Sequence, residues 1–223
     1  MEAKPGQERD AHDGAAPFAA PLPAPREVAG FALHEALLDR ALQARLLEEV
    51  REVLRAAPLR RYTVPGGRRM SVGMSAAGAL GWMSDGAGYR YAPAQPDGRP
   101  WPAIPPLALE VWKAVSGVPR LPDSCLVNHY DPDARMGMHS DRDEACLDWP
   151  VVSISLGDDG QLRVGGTERG GRTQAIWLRS GDVLVMSGAA RLAYHGLTRL
   201  RPGTSTLMRA PGRVNLTLRI AGP

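Results

Sequence analysis

A chain of 223 residues with 43% hydrophobic content is long enough for one domain with a sizeable core. No apolar run reaches the ~20 residues of a membrane-spanning helix, and residues 1–25 lack the apolar centre of a secretory signal. Two cysteines, Cys125 and Cys146, are too few for a disulfide scaffold. We therefore expect free thiols in the cytoplasm, and a thiol-based active site is a less favoured alternative.

Basic charge is unevenly distributed along the sequence. The formal net charge is only +3, but residues 183–223 contain six arginines and no acidic residue. A second acid-free stretch, residues 58–84, contains four arginines. Because a guanidinium donates two parallel hydrogen bonds, clustered arginine suits phosphate or carboxylate binding. A general preference of this chain for Arg over Lys explains the same clusters, so charge leaves nucleic-acid binding open.

The N-terminal half begins with a stretch rich in Ala, Pro and charge. Residues 1–26 are predicted to be a flexible tail, and residues 27–223 a single domain. Apolar side chains recur at helical spacing between residues 33 and 57, where Pro58 ends the pattern, which predicts a helix packed on the core. A second short helix is predicted over residues 106–117.

Between these helices lies a long irregular segment, residues 58–106, dense in Gly and Pro. Short pieces at 69–74 and 89–91 favour strands. The segment also carries aromatic side chains that we expect to be exposed: Tyr62, Trp82, Tyr89, Tyr91 and Trp101. So long an irregular segment inside a compact chain is usually functional.

After residue 123 the pattern changes to short strands separated by Gly-rich turns. The predicted strands are 125–130, 151–156, 161–164, 174–178, 183–186 and 214–220. Regularly spaced short strands of this kind favour a β-sandwich or a jelly roll.

A possible metal site is formed by His139 and Asp141, with His195 located 54 residues after the aspartate. On a strand, residues i and i+2 face the same side, so His139 and Asp141 would point together. Two imidazoles and one carboxylate can hold one face of iron(II) and leave positions open for other ligands. Because a His-x-Asp pair is common by chance, a loop histidine beside a solvated acid remains an alternative.

The C-terminal strand strengthens the metal hypothesis. Its apolar side chains alternate with polar ones, which places Arg213, Asn215 and Arg219 on one face. Two guanidinium groups on one face can converge on a small dianion such as 2-oxoglutarate. Asn128 and Tyr130 share a face of another predicted strand and can supply neutral hydrogen bonds.

Several ordered motifs together resemble those of bacterial AlkB proteins, which are Fe(II)/2-oxoglutarate-dependent dioxygenases. The resemblance covers roughly residues 58–220, and several motifs in one order are more specific than any single motif. The core motifs are Asn128-His129-Tyr130, His139-Ser140-Asp141-Arg142-Asp143-Glu144, Ser153-Ile154-Ser155-Leu156-Gly157, Gly181-Asp182-Val183, Arg191-Leu192-Ala193-Tyr194-His195-Gly196 and Arg213-Val214-Asn215-Leu216-Thr217-Leu218-Arg219. The motifs of the lid are Thr63-Val64-Pro65-Gly66-Gly67, Met70-Ser71-Val72, Leu80-Gly81-Trp82 and Arg99-Pro100-Trp101-Pro102.

The resemblance implies a fold and a set of site residues. The fold would be mainly β with flanking α: a jelly-roll (double-stranded β-helix) core over residues 123–223, N-terminal helices, and a nucleotide-recognition lid over 58–106. Iron(II) would be bound by His139, Asp141 and His195, with no further catalytic residues; 2-oxoglutarate by Asn128, Tyr130, Arg213, Asn215 and Arg219; and the substrate by Trp82, Tyr89, Tyr91, Asp143 and Arg169.

The activity implied by the resemblance is oxidative dealkylation of N-alkylated bases such as 1-methyladenine and 3-methylcytosine. Dioxygen would be consumed with 2-oxoglutarate, and formaldehyde released, by a cytoplasmic monomer acting on single-stranded or locally opened DNA or on RNA. An oxygenase with a non-nucleic-acid substrate and a non-enzymatic nucleic-acid binder remain alternatives. Two features depart from the family pattern: Met186 stands where a tryptophan is expected, and residues 158–161 are unusually polar.

Overall fold

The computed structural model of the protein describes residues 17–18, 21–63, 67, 69–85 and 88–223. Within this part of the chain, most residues in regular structure belong to β-strands, and two α-helices flank them. The helices are α1 (Arg40–Ala56) and α2 (Pro106–Val115), and the strands are β1 (Arg26–Val28), β2 (Phe31–His34), β3 (Gly73–Gly78), β4 (Gly81–Asp85), β5 (Gly88–Ala92), β6 (Ser124–Tyr130), β7 (Val151–Gly157), β8 (Asp159–Val164), β9 (Gln174–Leu178), β10 (Val183–Met186), β11 (His195–Arg201) and β12 (Arg213–Arg219).

The strands pair antiparallel in three sheets. The larger sheet has the order β1-β2-β10-β7-β12-β6-β3, the smaller sheet β11-β8-β9, and β4 pairs with β5 alone. Apolar side chains of β10 and of the neighbouring strands, such as Leu184 and Met186, pack against Leu162 and Val164 of the smaller sheet. Two antiparallel sheets that face each other in this way form the jelly roll expected from the sequence.

Both helices cover the outer face of the larger sheet. Asp39 caps α1 by accepting a 2.8 Å hydrogen bond from the backbone NH of Leu42, which satisfies one of the free donors of the first turn. The apolar side of α1 then packs with α2 and with alternate residues of β12, such as Leu216 and Leu218. The polar residues of β12 therefore point the other way, into the space between the two sheets. No helix among the described residues is long and apolar enough to cross a membrane.

The fold confirms the predicted strands after residue 123 to within two residues and adds β11, which the sequence pattern did not reveal. It also corrects the beginning of the first helix. Residues 31–34 pair with β10 as strand β2, so α1 begins at Arg40 and not at residue 33. Strands β1 and β4 were likewise not predicted, and the strand expected at 69–74 lies at Gly73–Gly78.

Of the five aromatic side chains expected to be exposed, only Tyr89 is, while Tyr62, Trp82 and Tyr91 are half-buried. Trp101 is buried, and its indole donates a 3.0 Å hydrogen bond to the carbonyl of Ala92. Most of the expected tail lies outside the described residues, as do residues 64–66 of the lid motif. Phe18 packs against the main core, and Arg26 begins β1. The division at residue 26 stays a prediction.

Candidate functional site

A cavity of about 980 Å³ lies between the sheets and is bordered by β4 and β5. All the site residues expected from the sequence line it: His139, Asp141, His195, Asn128, Tyr130, Arg213, Asn215, Arg219, Trp82, Tyr89, Tyr91, Asp143 and Arg169. The fold thus brings together side chains that are far apart in the sequence. Met186 also lines the cavity and is buried.

The two histidines of the metal trio are held together by the backbone. His139 and His195 exchange two hydrogen bonds of 2.9 and 2.8 Å between their NH and carbonyl groups, and the ring centroids lie 4.5 Å apart. His139 does not lie on a longer strand as expected; this isolated bridge takes the strand's place. A Cβ on Gly196 would come within 2.7 Å of two carbonyl oxygens of the neighbouring segment, so only glycine allows this close approach.

The side chains of the trio are arranged to bind a cation. The Nδ1 atoms of His139 and His195 each lie 2.9 Å from a backbone carbonyl oxygen two residues earlier, which selects the tautomer with a free Nε2 lone pair. These Nε2 atoms lie 3.7 and 4.0 Å from the Asp141 carboxylate oxygens, and all the possible ligand atoms lie within 4.8 Å of one another. Two imidazoles and a carboxylate in this arrangement fit iron(II).

Electrostatics keep Asp141 and His195 in the states that a metal requires. Burial would raise the pKa of Asp141, but the Arg219 guanidinium, which also donates a hydrogen bond to this carboxylate, outweighs burial and holds the pKa well below its usual range. Burial lowers the pKa of His195 despite the nearby Asp141, so the ring stays neutral. A deprotonated carboxylate and a neutral imidazole are the forms that bind metals.

Arg219, at the end of β12, is held by two acidic side chains from the loop that carries Asp141. Its Nη2 donates a 2.7 Å hydrogen bond to Asp141 Oδ2, and its Nε lies 3.0 Å from Glu144 Oε1. Glu144 is buried and also pairs with Arg191 at 3.2 Å, while the Tyr91 hydroxyl donates to Glu144 Oε1. This network links the carboxylate of the trio to strand β5. The sequence analysis assigned no role to Glu144 or Arg191.

The expected co-substrate residues face one another across two strands. In the antiparallel register of β12 and β6, Arg213 lies opposite Tyr130, and Asn215 lies opposite Asn128. Burial raises the pKa of Tyr130, so its hydroxyl remains a hydrogen-bond donor. The amide nitrogen of Asn215 is occupied within the protein, since it donates to Ser153 Oγ at 2.8 Å and to the Ile154 carbonyl at 3.0 Å.

Arg213 is a buried cation without a hydrogen-bonded carboxylate among the described residues. Its Nη atoms donate to the carbonyls of Asp158 and Leu178 and to Ser155 Oγ, at 3.0, 3.1 and 2.5 Å. Its Nε is buried and has no hydrogen-bond partner in the described part of the chain. Burial lowers its pKa to about 10, so it remains charged at neutral pH. A buried, incompletely satisfied guanidinium fits an anionic ligand such as 2-oxoglutarate.

Two residues of the polar stretch at 158–161 have structural roles beside this arginine. The buried Asp158 carboxylate accepts hydrogen bonds from the backbone NH groups of Ser205 and Gly212, which shapes the loop before β12. At Gly160, a Cβ would lie 3.0 Å from Arg213 Nε and 2.8 Å from a leucine methyl group, so glycine leaves room for the guanidinium.

Aromatic side chains border the cavity on the side of β4 and β5. Trp82 stacks on Tyr89 with ring centroids 5.3 Å apart and an interplanar angle of 24°. The Trp82 indole donates a 2.9 Å hydrogen bond to Asp143 Oδ2, so Asp143 is attached to the aromatic group and is not simply a solvated loop acid. Arg169, from the loop between β8 and β9, lies over the Tyr194 ring at 5.7 Å. This side of the cavity offers flat rings and charges of both signs.

Comparison with known proteins agrees with the fold and the site. A family model for the 2OG-Fe(II) oxygenase superfamily matches residues 30–219. A Caulobacter vibrioides protein named alpha-ketoglutarate-dependent dioxygenase AlkB homolog is 49% identical over 87% of this chain and 89% of its own length. The solved structure of OsALKBH1 superposes with a TM-score of 0.73 at 28% identity, covering 87% of this chain and 99% of that one.

A more distant relative carries a more specific name. The Arabidopsis thaliana DNA N(6)-methyladenine demethylase ALKBH1C is 38% identical over 44% of this chain, but this match spans only 24% of the relative. The near-complete matches are decisive for classification: the chain belongs to the 2OG-Fe(II) oxygenase superfamily and, within it, to the AlkB-like dioxygenases. As a member it uses iron(II), 2-oxoglutarate and dioxygen.

Proposed function

We propose that this enzyme removes alkyl groups from N-alkylated bases of nucleic acids, with 1-methyladenine and 3-methylcytosine as the preferred type. The observation that carries the proposal is one cavity with the metal trio on one side and the stacked pair Trp82–Tyr89, joined to Asp143, on the other. Flat rings suit a nucleobase, and a nearby carboxylate suits a cationic one. The name of the Arabidopsis relative points to the same substrate class.

For the metal, we assign His139, Asp141 and His195 as the three protein ligands. Bound iron supplies the oxidising chemistry, in which dioxygen and 2-oxoglutarate are consumed and the N-methyl group is hydroxylated. The hydroxymethyl group on nitrogen then leaves as formaldehyde. Arg219 and the carbonyl-bound imidazoles orient the ligands, and the burial of Asp141 and His195 keeps water away from them.

For the co-substrate, we assign the two arginines of β12 different roles. Arg213, with Tyr130 opposite, would bind the carboxylate that lies far from the metal, because its Nε is without a partner. Arg219 is already paired with Asp141 and Glu144 and would act next to the metal. Asn128 and Asn215 complete the polar wall of the pocket.

For the nucleic acid, the depth of the site requires an accessible base. A base stacked in a duplex cannot reach the metal trio, so single-stranded or locally opened DNA, or RNA, is the proposed substrate. An alkyl group that blocks Watson–Crick pairing lowers the cost of turning the base out. Tyr91 and Arg169 would contribute to the same binding region. The proposal also includes a cytoplasmic, monomeric enzyme.

A coupled product assay tests the proposal. Purified enzyme is supplied with iron(II) and 2-oxoglutarate, and succinate and formaldehyde are measured with methylated and with matched unmethylated single strands. We expect equal amounts of both products, dependent on the methyl group. Succinate release that no oligonucleotide stimulates would favour an oxygenase with another substrate, and no succinate under any condition would favour a non-enzymatic binder.

A further inference from the structure

The outer face of the smaller sheet carries a group of arginines that the active site does not use. Arg163 of β8 and Arg199 and Arg201 of β11 are exposed, and the last two lie over the Trp177 ring of β9 at 5.2 and 3.7 Å. We call Arg163, Arg199, Arg201 and Trp177 the arginine face. The strand register places them together: Arg199 pairs with Gln161, two residues from Arg163, and Gln161 pairs with Trp177.

These three arginines have no acidic partner among the described residues, unlike three arginines of helix α1. No ion pair joins Arg163, Arg199 or Arg201 to a carboxylate within the described part of the chain, whereas the arginines of α1 at 45, 51 and 55 are each paired with a glutamate. Among the described outward-facing residues of these strands, the one acid is Asp159, which begins β8 and lies opposite Arg201. The net excess of positive charge is therefore available to an external anion.

Stacking on the indole prepares two of the guanidinium groups for binding. A planar guanidinium on an aromatic ring loses less conformational freedom when it forms hydrogen bonds than a free arginine side chain does. Successive outward rows of a strand are about 6.6 Å apart, so the three arginines extend over about 13 Å. A nucleic-acid strand carries a row of phosphate groups, which suits this extended arrangement of cations better than a single small anion does.

The arginine face begins next to the catalytic cavity. Arg163 precedes Val164, which pairs with His195 of the metal trio. The loop that follows β8 carries Arg169, which lines the cavity. A nucleic-acid strand that left the cavity past Arg169 would therefore meet Arg163 first, followed by Arg199 and Arg201.

We propose that the arginine face binds the phosphate backbone of the single strand that flanks the target base. This inference rests on the proposed function, because it assumes a nucleic-acid substrate. It adds a second contact region, outside the cavity, that contributes affinity without reading sequence.

The salt dependence of binding tests the inference. We would replace Arg163, Arg199 and Arg201 together by Ala in the full chain and measure the Kd of a labelled, unmodified single strand of about 15 nucleotides. Each lost phosphate contact lowers the slope of log Kd against log salt by about 0.7 for single strands, so the slope should fall by about 2. A triple Gln variant, which keeps polar side chains, provides a second version if the Ala variant does not fold.

A matched control removes the same charge elsewhere. Replacing Arg45, Arg51 and Arg55 by Ala also removes three positive charges. These arginines lie on helix α1, which covers the larger sheet and is remote from the arginine face. We expect this control to retain the slope of the unaltered protein. An unchanged slope in the arginine-face variants, or an equal fall in the control, would overturn the inference. Formaldehyde release from methylated strands is measured in a separate assay. Its absence in the unaltered enzyme would refute the proposed function and would leave the binding result for the arginine face unaffected.

Discussion

Replacing Arg213 by Lys tests the assignment of the co-substrate pocket most directly. The guanidinium already uses its two Nη atoms for three acceptors: the carbonyls of Asp158 and Leu178 and the Ser155 hydroxyl. Two of its five N–H donors, that of Nε and one on Nη2, are left without a partner among the described residues, and we propose that they, together with the charge, hold a carboxylate of 2-oxoglutarate. A lysine ammonium has three donors in all. If it binds the same three acceptors, it has none left for the ligand.

The expected loss follows from this count of donors. A hydrogen bond to a charged group contributes about 1.5–3 kcal/mol, which corresponds to roughly a ten- to 150-fold rise in the apparent 2-oxoglutarate requirement. The positive charge is retained, so the fold should tolerate the change better than it would tolerate Ala. Burial lowers the pKa of Arg213 to about 10, and the guanidinium stays charged. An ammonium in the same place lacks the planar fork with which a guanidinium binds both oxygens of a carboxylate.

Succinate release measured over a range of 2-oxoglutarate concentrations provides the assay, and a melting curve verifies the fold. Arg219→Lys is the comparison variant, because Arg219 is bound to Asp141 and Glu144. We expect it to weaken both iron binding and 2-oxoglutarate binding. An unchanged 2-oxoglutarate requirement in a folded Arg213→Lys enzyme would refute the reasoning and locate the anion elsewhere.

Four further substitutions test the other parts of the site. His139→Ala should abolish iron-dependent succinate release without unfolding the protein, and full activity would exclude the metal trio. Trp82→Ala should reduce oligonucleotide turnover about ten-fold or more, given roughly 1–3 kcal/mol per stacked base, with little change in uncoupled 2-oxoglutarate decay; simple unfolding would show that the indole is structural. Asp143→Asn should impair turnover of cationic 1-methyladenine and 3-methylcytosine more than of neutral 1-methylguanine and 3-methylthymine, and equal losses would show that Asp143 does not read charge. Glu144→Gln should lower the free energy of unfolding by about 3 kcal/mol in denaturant titrations, because two buried arginines lose an anion; an unchanged midpoint would contradict that role.

The sequence predicted the strands of the core well because their signal is local. Short apolar or alternating runs between Gly-rich turns mark β7, β8 and β10, and the structure confirms these strands. Strand β11 was missed because its pattern is interrupted: a bulge between Leu197 and Arg199 shifts the pairing, and two arginines face outward. A local rule cannot anticipate such a bulge, since it depends on the partner strand.

The sequence predicted which residues would lie together at one cavity but not the contacts among them. Residues of alternate positions on β12 were expected to share a face, and Arg213 and Arg219 do line one cavity. The two arginines differ in their partners, which come from loops elsewhere in the chain. Arg213 binds the Asp158 carbonyl, and Arg219 is paired with the Glu144 carboxylate. Glu144 was assigned no role from the sequence because Arg191, its buried partner, lies in a distant segment.

The backbone pairing of His139 and His195 has a consequence for the thermodynamics of iron uptake. Each ring is already attached through Nδ1 to a carbonyl oxygen, and the two segments are already joined by two hydrogen bonds. Ordering of these side chains, which otherwise opposes binding by up to ~2 kcal/mol each, is therefore completed when the protein folds. The free energy of metal binding at the proposed centre would therefore reflect the metal–ligand bonds, with little opposing cost for ordering the ligand side chains. We expect different divalent ions to meet the same arrangement of donors, so competition among them would be decided by their coordination chemistry rather than by rearrangement of the protein.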